Sequence, residues 1–208
     1  MIRSLLPSAV LLALLSGCSI LPKSEVLDVY VLPAQRMLTP PNQPSAALSL
    51  RVNKPLANPL LNSTRIAVIP ADDRISVYQG ARWSDRAPLL LRDRLIDAFL
   101  DDGRFKAVSS DDSRLQADLE LDGDLRAFQS EYRSGVPAAR ILFEARLVES
   151  GSLRILASRR FDVSQTASDA SLPAVVSSFG QAGDQLARQV LEWTLNQPQR
   201  APDTGSRP

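Results

Sequence analysis

Histidine is absent from this chain of 208 residues, cysteine occurs once, at Cys18, and lysine occurs only at Lys23, Lys54 and Lys106. Without His there is no Ser-His-Asp triad, no Cys-His pair and no His-ligated metal site. A single Cys leaves the fold without an internal disulfide, so its stability rests on burial even in an oxidising compartment. The sequence also lacks G-x-S-x-G, the phosphate-cradling G-x-x-x-x-G-K-[ST] and the dinucleotide fingerprint G-x-G-x-x-G. Neither sign of charge dominates: Lys and Arg number 24 against 23 Asp and Glu, and loss of Arg3 with a cleaved leader makes them equal. Bulk electrostatics therefore favours neither nucleic acid nor anionic headgroups as a partner.

Carboxylate enzymes do not need His, so its absence alone leaves a hydrolase open; two carboxylates about 5–10 Å apart in an apolar-lined cleft would mark one. The candidates are Asp72-Asp73 and Asp122/Asp124. With no third ligand at a recognisable spacing, they are expected to be solvated turn and strand faces, with no catalytic, metal or cofactor site.

What is present begins with the apolar run Leu5 to Leu15, preceded by Arg3. It is shorter than the roughly 20 residues of a spanning helix, and no stop-transfer pattern follows, so residues 1–17 read as a secretory signal peptide. Leu15-Ser16-Gly17-Cys18 resembles the bacterial lipobox, in which the thiol takes a diacylglyceryl group and the leader is cut just before it. By that resemblance Cys18 is the acylated N-terminus. The alternative is a plain secreted chain with an incidental Cys, and free Cys is uncommon in exported proteins. Each buried acyl CH₂ contributes roughly 0.8 kcal/mol, so two or three long chains, palmitate among them, hold a protein durably to a bilayer. Ser19 follows; in lipoproteins of enteric type a residue other than Asp there implies export to the outer membrane.

Hydrophobic residues make up 44% and charged residues 23%, a globular composition with room for one domain. Residues 18–46 form the lipidated N-terminus and a Pro-rich tether, with Val29-Tyr30-Val31-Leu32 as a β-prone island able to add a strand. The domain is expected over 47–195 and a polar, disordered tail over 196–208. Strands are expected at 47–52, 65–69, 74–78 and 105–108, with turns over 53–63, where Pro55 and Pro59 oppose pairing, and at Gly80. A helix over 86–102 has Asp85 or Ser84 as cap, an apolar face of Leu91, Leu95 and Phe99, charges Arg92, Asp93, Arg94 and Asp97 elsewhere, and Gly103 as its stop. The alternation Leu119, Leu121, Leu125, Ala127 predicts a long strand with a bulge at Gly123, and Ile141 to Leu147 turns through Ser150-Gly151 into a hairpin partner ending at Val163. Arg159 falls on the apolar side of that partner, which demands fraying or a phase-shifting bulge. A final helix over 172–195, opened by Ser171 and Pro173, carries a wide stripe through Phe179, Leu186, Val190 and Trp193, wide enough to serve self-association into a homo-oligomer as well as the core. The sum is an α+β, two-layer sandwich: a mixed, mainly antiparallel sheet with two amphipathic helices on one face, the other face carrying Glu120, Asp122, Asp124, Glu144 and Arg146.

The lipobox, Tyr30-Val31-Leu32, the strand Ile66-Ala67-Val68, and Arg82-Trp83-Ser84-Asp85 leading into the helix form an ordered series that resembles the ABC-type transport auxiliary lipoproteins, the PqiC-like family accompanying MCE-domain transporters. Gln79-Gly80-Ala81 after Tyr78 departs from that family, which often has Tyr or His shortly before its Trp. The resemblance implies a non-catalytic, periplasm-facing, outer-membrane-anchored subunit of a lipid transport system. Its partners would be a periplasmic MCE-domain protein and the permease and ATPase of the same system, with phospholipid a candidate ligand and the transported lipid left open. Trp83 is either an exposed partner anchor, with Arg82 and Tyr78 beside it, or a staple packed under the helix. A lipoprotein that assists envelope assembly or regulates a peptidoglycan synthase is the competing function.

Overall fold

The computed structural model describes residues 27–36, 46–70, 74–133 and 135–197. The signal peptide, Cys18, Asp72-Asp73 and the tail beyond Gln197 lie outside the described residues.

The longest strand, β7 (Leu119–Arg133), organises the sheet. At about 3.3 Å per residue it spans some 50 Å, long enough to take several short strands end to end along one side. In parallel register it pairs with β2 (Ala46–Val52) at Leu119–Leu121, β3 (Leu56–Ala57) at Asp124–Leu125 and β4 (Arg65–Ile69) at Gln129–Glu131. Its other side pairs antiparallel along its length with β8 (Val136–Glu149), which pairs antiparallel with β9 (Arg154–Thr166). Beyond β2 lies β6 (Phe105–Ser110), parallel to it; beyond β4 lies β5 (Ser76–Trp83), antiparallel, and then β1 (Asp28–Tyr30), parallel to β5. The sheet is thus mixed and forked, with its long pairings antiparallel.

Two helices cover it: α1 (Ala87–Asp102) packs on β6 and β2, and α2 (Leu172–Leu195) on β8 and β9, while the helices touch each other. Leu91, Leu95 and Phe99 of α1 and Phe179, Leu186 and Val190 of α2 are buried against Leu50, Leu121, Ile141 and Phe143. This is the α+β, two-layer arrangement that the sequence periodicity demands.

Several local expectations change. The bulge in β7 falls at Arg126, between Leu125 and Ala127, and hands the core face from Leu125 to Phe128. Gly123 has a different reason: a Cβ there would stand 2.2 Å from the Phe143 ring. In β9 the register shifts beside Leu147/Val148, leaving Leu156 as the extra residue, and Arg159 then lies over the Phe161 ring at 5.0 Å. Gly80, at φ 67°, makes no turn between elements but a bulge inside β5. The segment expected to turn over 53–63 contains β3.

At α1 the N-cap is Arg86, with no side-chain cap; the Asp85 carboxylate accepts from the Arg86 amide at 2.7 Å instead. Gly103 stops the helix in the left-handed region, its N–H donating to the Phe99 carbonyl, as expected. Ser171 caps α2 by accepting from Ala174 N–H. Arg92 and Arg94, assigned by helical spacing to the polar side of α1, are both buried.

Candidate functional site: a strap clamped across the helix pair

The buried Arg94 marks where the N-terminal segment meets the domain. Residues 27–36, read from sequence as lying ahead of the domain, are held against it: β1 adds to the β5 edge, and Ser84 N–H donates to the Tyr30 carbonyl at 2.7 Å. The strap formed by residues 31–36 then crosses α2. There Gly180 leaves room for Pro33, since a Cβ would sit 2.7 Å from the Pro33 carbonyl oxygen and 2.8 Å from its Cβ. Leu32 lies one turn on, 3.7 Å from where a Gly183 Cβ would be.

Next to these glycines Asp184 receives Arg94 Nε at 2.6 Å, both side chains being buried. The strap completes this ion pair: Gln35 N–H donates to Asp184 Oδ2 at 3.1 Å, and Arg94 Nη2 donates to the Gln35 carbonyl at 3.0 Å. Arg36 reaches Asp101 at 3.3 Å. One carboxylate, one guanidinium and the backbone N–H and C=O of one residue therefore join α1, α2 and the strap. The hydrogen bonds of Arg94 Nε and Nη2, the Asp184 carboxylate and the Gln35 backbone run among these three segments.

The open face of the sheet is similarly self-paired. Arg51 binds Glu120, whose carboxyl that hydrogen bond holds below the usual range. Asn53 donates to Glu120 and Asp122 at 2.9 Å each, Arg146 reaches Asp124 at 2.6 Å, Arg126 and Arg160 converge on Glu144, and Arg140 forks onto Asp162. Asp122 and Asp124 thus hold Asn53 and Arg146. Among the described residues no group of three or more His, Cys, Asp or Glu is placed to hold a metal ion. No described helix is long and apolar enough to cross a membrane.

The three residues singled out around the Trp loop separate. Trp83 is 1% exposed and packs edge-on against Phe128 and Phe179, at 5.8 and 5.2 Å between centroids. It is a staple, but under α2 through Phe179. Tyr78 is partly buried, its hydroxyl 3.3 Å from Ser130 Oγ, and burial pushes its phenol up to about 12. Arg82 alone of the three is exposed. The clamp residues Gln35, Arg94, Gly180, Gly183 and Asp184 went unread in the sequence. Their signal was there: two glycines three apart in the middle of a helix, each costing up to about 1 kcal/mol against Ala, call for a close approach of another chain segment.

The model of the ABC-type transport auxiliary lipoprotein component family matches residues 30–191, from the clamped segment to the last turns of α2. A crystal structure of a Xanthomonas campestris protein superposes with a TM-score of 0.74 at 35% identity, covering 80% of this chain and 94% of that one. A second crystal structure, of an uncharacterised protein, has a TM-score of 0.64 at 16% identity over 82% of this chain and 99% of that one, a likeness of fold. An uncharacterised Bradyrhizobium diazoefficiens protein is 29% identical over 171 residues, 78% of this chain and 46% of that protein, so the chain spans about half the length of this curated relative. With the family model covering well over half of the chain, the chain belongs to the ABC-type transport auxiliary lipoprotein components.

Proposed function

We propose that this protein is the outer-membrane-anchored, periplasm-facing lipoprotein of an MCE/ABC-type lipid transport system, a non-catalytic docking component acylated at Cys18. Family membership supports the transport role, and one structural observation carries the docking role: the N-terminal strap is locked into the helix pair by Asp184, Arg94 and Gln35. A flexible linker would leave an anchored domain free to turn. The clamp fixes where the chain coming from Cys18 meets the fold, which suits a part that must hold a partner near a membrane. Of the residues around the Trp loop, Arg82 is the exposed one, while Trp83 and Tyr78 shape its strand from below. Energy and nucleotide binding reside in the separate permease and ATPase.

The test is recovery of the acylated protein from mildly solubilised envelopes, with co-purifying proteins and lipids identified by mass spectrometry. Recovery of an MCE-domain protein with its permease is the expected result. Recovery of peptidoglycan-synthesis proteins in their place would overturn the transport reading.

A further inference from the structure

At the fork tine formed by β4, β5 and β1, one cross-strand row reads Arg65, Arg82, Val29. Residues in register share a face, and all three are exposed. Like charges directly opposite each other destabilise a sheet, yet neither arginine makes an ion pair among the described residues. On the open face nearby, Arg51, Arg126, Arg140, Arg146 and Arg160 each hold a carboxylate. Two arginines opposite each other in register, neither paired with a carboxylate among the described residues, suit an anionic oxygen group such as a phosphate.

The row ends on β1, the outermost strand on this side of the sheet. Leu27, Val29 and Val31 alternate onto the same outward side and are 46%, 52% and 67% exposed. Their neighbours Tyr30 and Leu32 point the other way and pack against the core. By the same alternation Asp28, the one carboxylate of β1, lies on the face away from the arginines. Edge strands are ordinarily blunted with charge, whereas this one presents three aliphatic side chains beside two cations. That pairing is the composition of an interfacial contact: apolar groups for the headgroup and acyl boundary, cations for the phosphates. The position agrees, because the nine steps from Cys18 to Leu27 span at most about 30 Å.

We propose that this edge, Leu27, Val29 and Val31 with Arg65 and Arg82, docks on an anionic phospholipid bilayer, the membrane that holds the acyl chains of Cys18. The choice of that bilayer rests on the lipoprotein reading above. Because the whole chain is close to neutral, the attraction is local, and it weakens with salt.

The unacylated mature chain carrying Cys18→Ser tests the surface apart from the anchor. Its binding is measured to vesicles of phosphatidylglycerol with phosphatidylethanolamine, and to vesicles of phosphatidylcholine alone. The expected result is salt-sensitive binding to the anionic vesicles, reduced at least fivefold by Arg65→Glu with Arg82→Glu, and little binding to phosphatidylcholine. With the native Cys removed, a polarity-sensitive probe on Val31→Cys is expected to shift blue with anionic vesicles, while one on Leu153→Cys, also exposed, is not. Circular dichroism and urea midpoints confirm that each variant folds. Equal binding by the charge-reversed chain, equal shifts at both probes, or no binding to either vesicle overturns the proposal; the last result would assign the patch to an acidic protein partner. None of these outcomes depends on acylation or on the transport partners, which the envelope recovery tests.

Discussion

Asp184 is the one ionisable residue among the buried positions of α2, where a carboxylate is costly unless it is fully partnered. Its partners come from Arg94 and from the Gln35 amide, 90 and 149 positions away in the chain. Asp184→Ala leaves a buried guanidinium uncompensated, and urea denaturation is expected to show a loss of about 3–5 kcal/mol. Replacing both charges with apolar residues of similar size, Arg94→Met with Asp184→Leu, is expected to recover a large part of that loss; no recovery would mean that the pair matters for something other than charge compensation. A second residue-scale prediction concerns acid. Hydrogen bonds from the Ser49 amide and hydroxyl hold Asp118 below its ordinary value, and the Arg51 guanidinium does the same for Glu120. For groups lowered by folding, the stabilising contribution is complete above the ordinary carboxylate range, near pH 4, and is lost as the pH falls through the folded values. The melting temperature should therefore drop below about pH 4, and Ser49→Ala, which removes the hydroxyl that donates to the Asp118 carboxylate and accepts from the Asp118 N–H, should flatten that drop.

Helix α2 is read correctly from its spacing and its cap, yet its two interior glycines show that the element serves more than the core. Gly180→Ala gains helix propensity of up to about 1 kcal/mol but drives a methyl group into Pro33. Gly183→Ala gains the same propensity and meets Leu32 and Arg94 at ordinary distances of 3.7 and 4.0 Å. The expectation is opposite signs: Gly183→Ala raises the melting temperature, whereas Gly180→Ala lowers it and speeds proteolysis and amide exchange within residues 31–36. Matching effects from the two would show that the strap does not rest on α2. Strands were legible in the same partial way. Alternation located β2, β7, β8 and β9, since a half-buried strand writes its period into the sequence. It misplaced the bulge of β7, because whether Gly123 or Arg126 breaks the register depends on the Phe143 ring across the ladder, which no local pattern reports.

For the molecule as a whole, the consequence lies in how a tether and a fold are joined. If Cys18 carries the acyl chains, Cys18→Ala should move the protein from the membrane fraction to the soluble periplasmic fraction, as read by envelope fractionation. Continued tight retention would require another anchor, and the β1 edge alone is expected to hold too weakly for that. Apolar period, caps and the scarcity of His and Cys determined by themselves the α+β class, both helices, the hairpin and the exclusion of His- and Cys-based chemistry, because each is written in residues close in sequence. The tertiary structure alone decided that Trp83 is core, that Arg94 and Asp184 are inside, that the N-terminal segment is clamped, and that Arg65 stands unpaired beside Arg82. Those outcomes depend on which distant segments come together, since burial and charge compensation belong to the neighbours a residue acquires on folding.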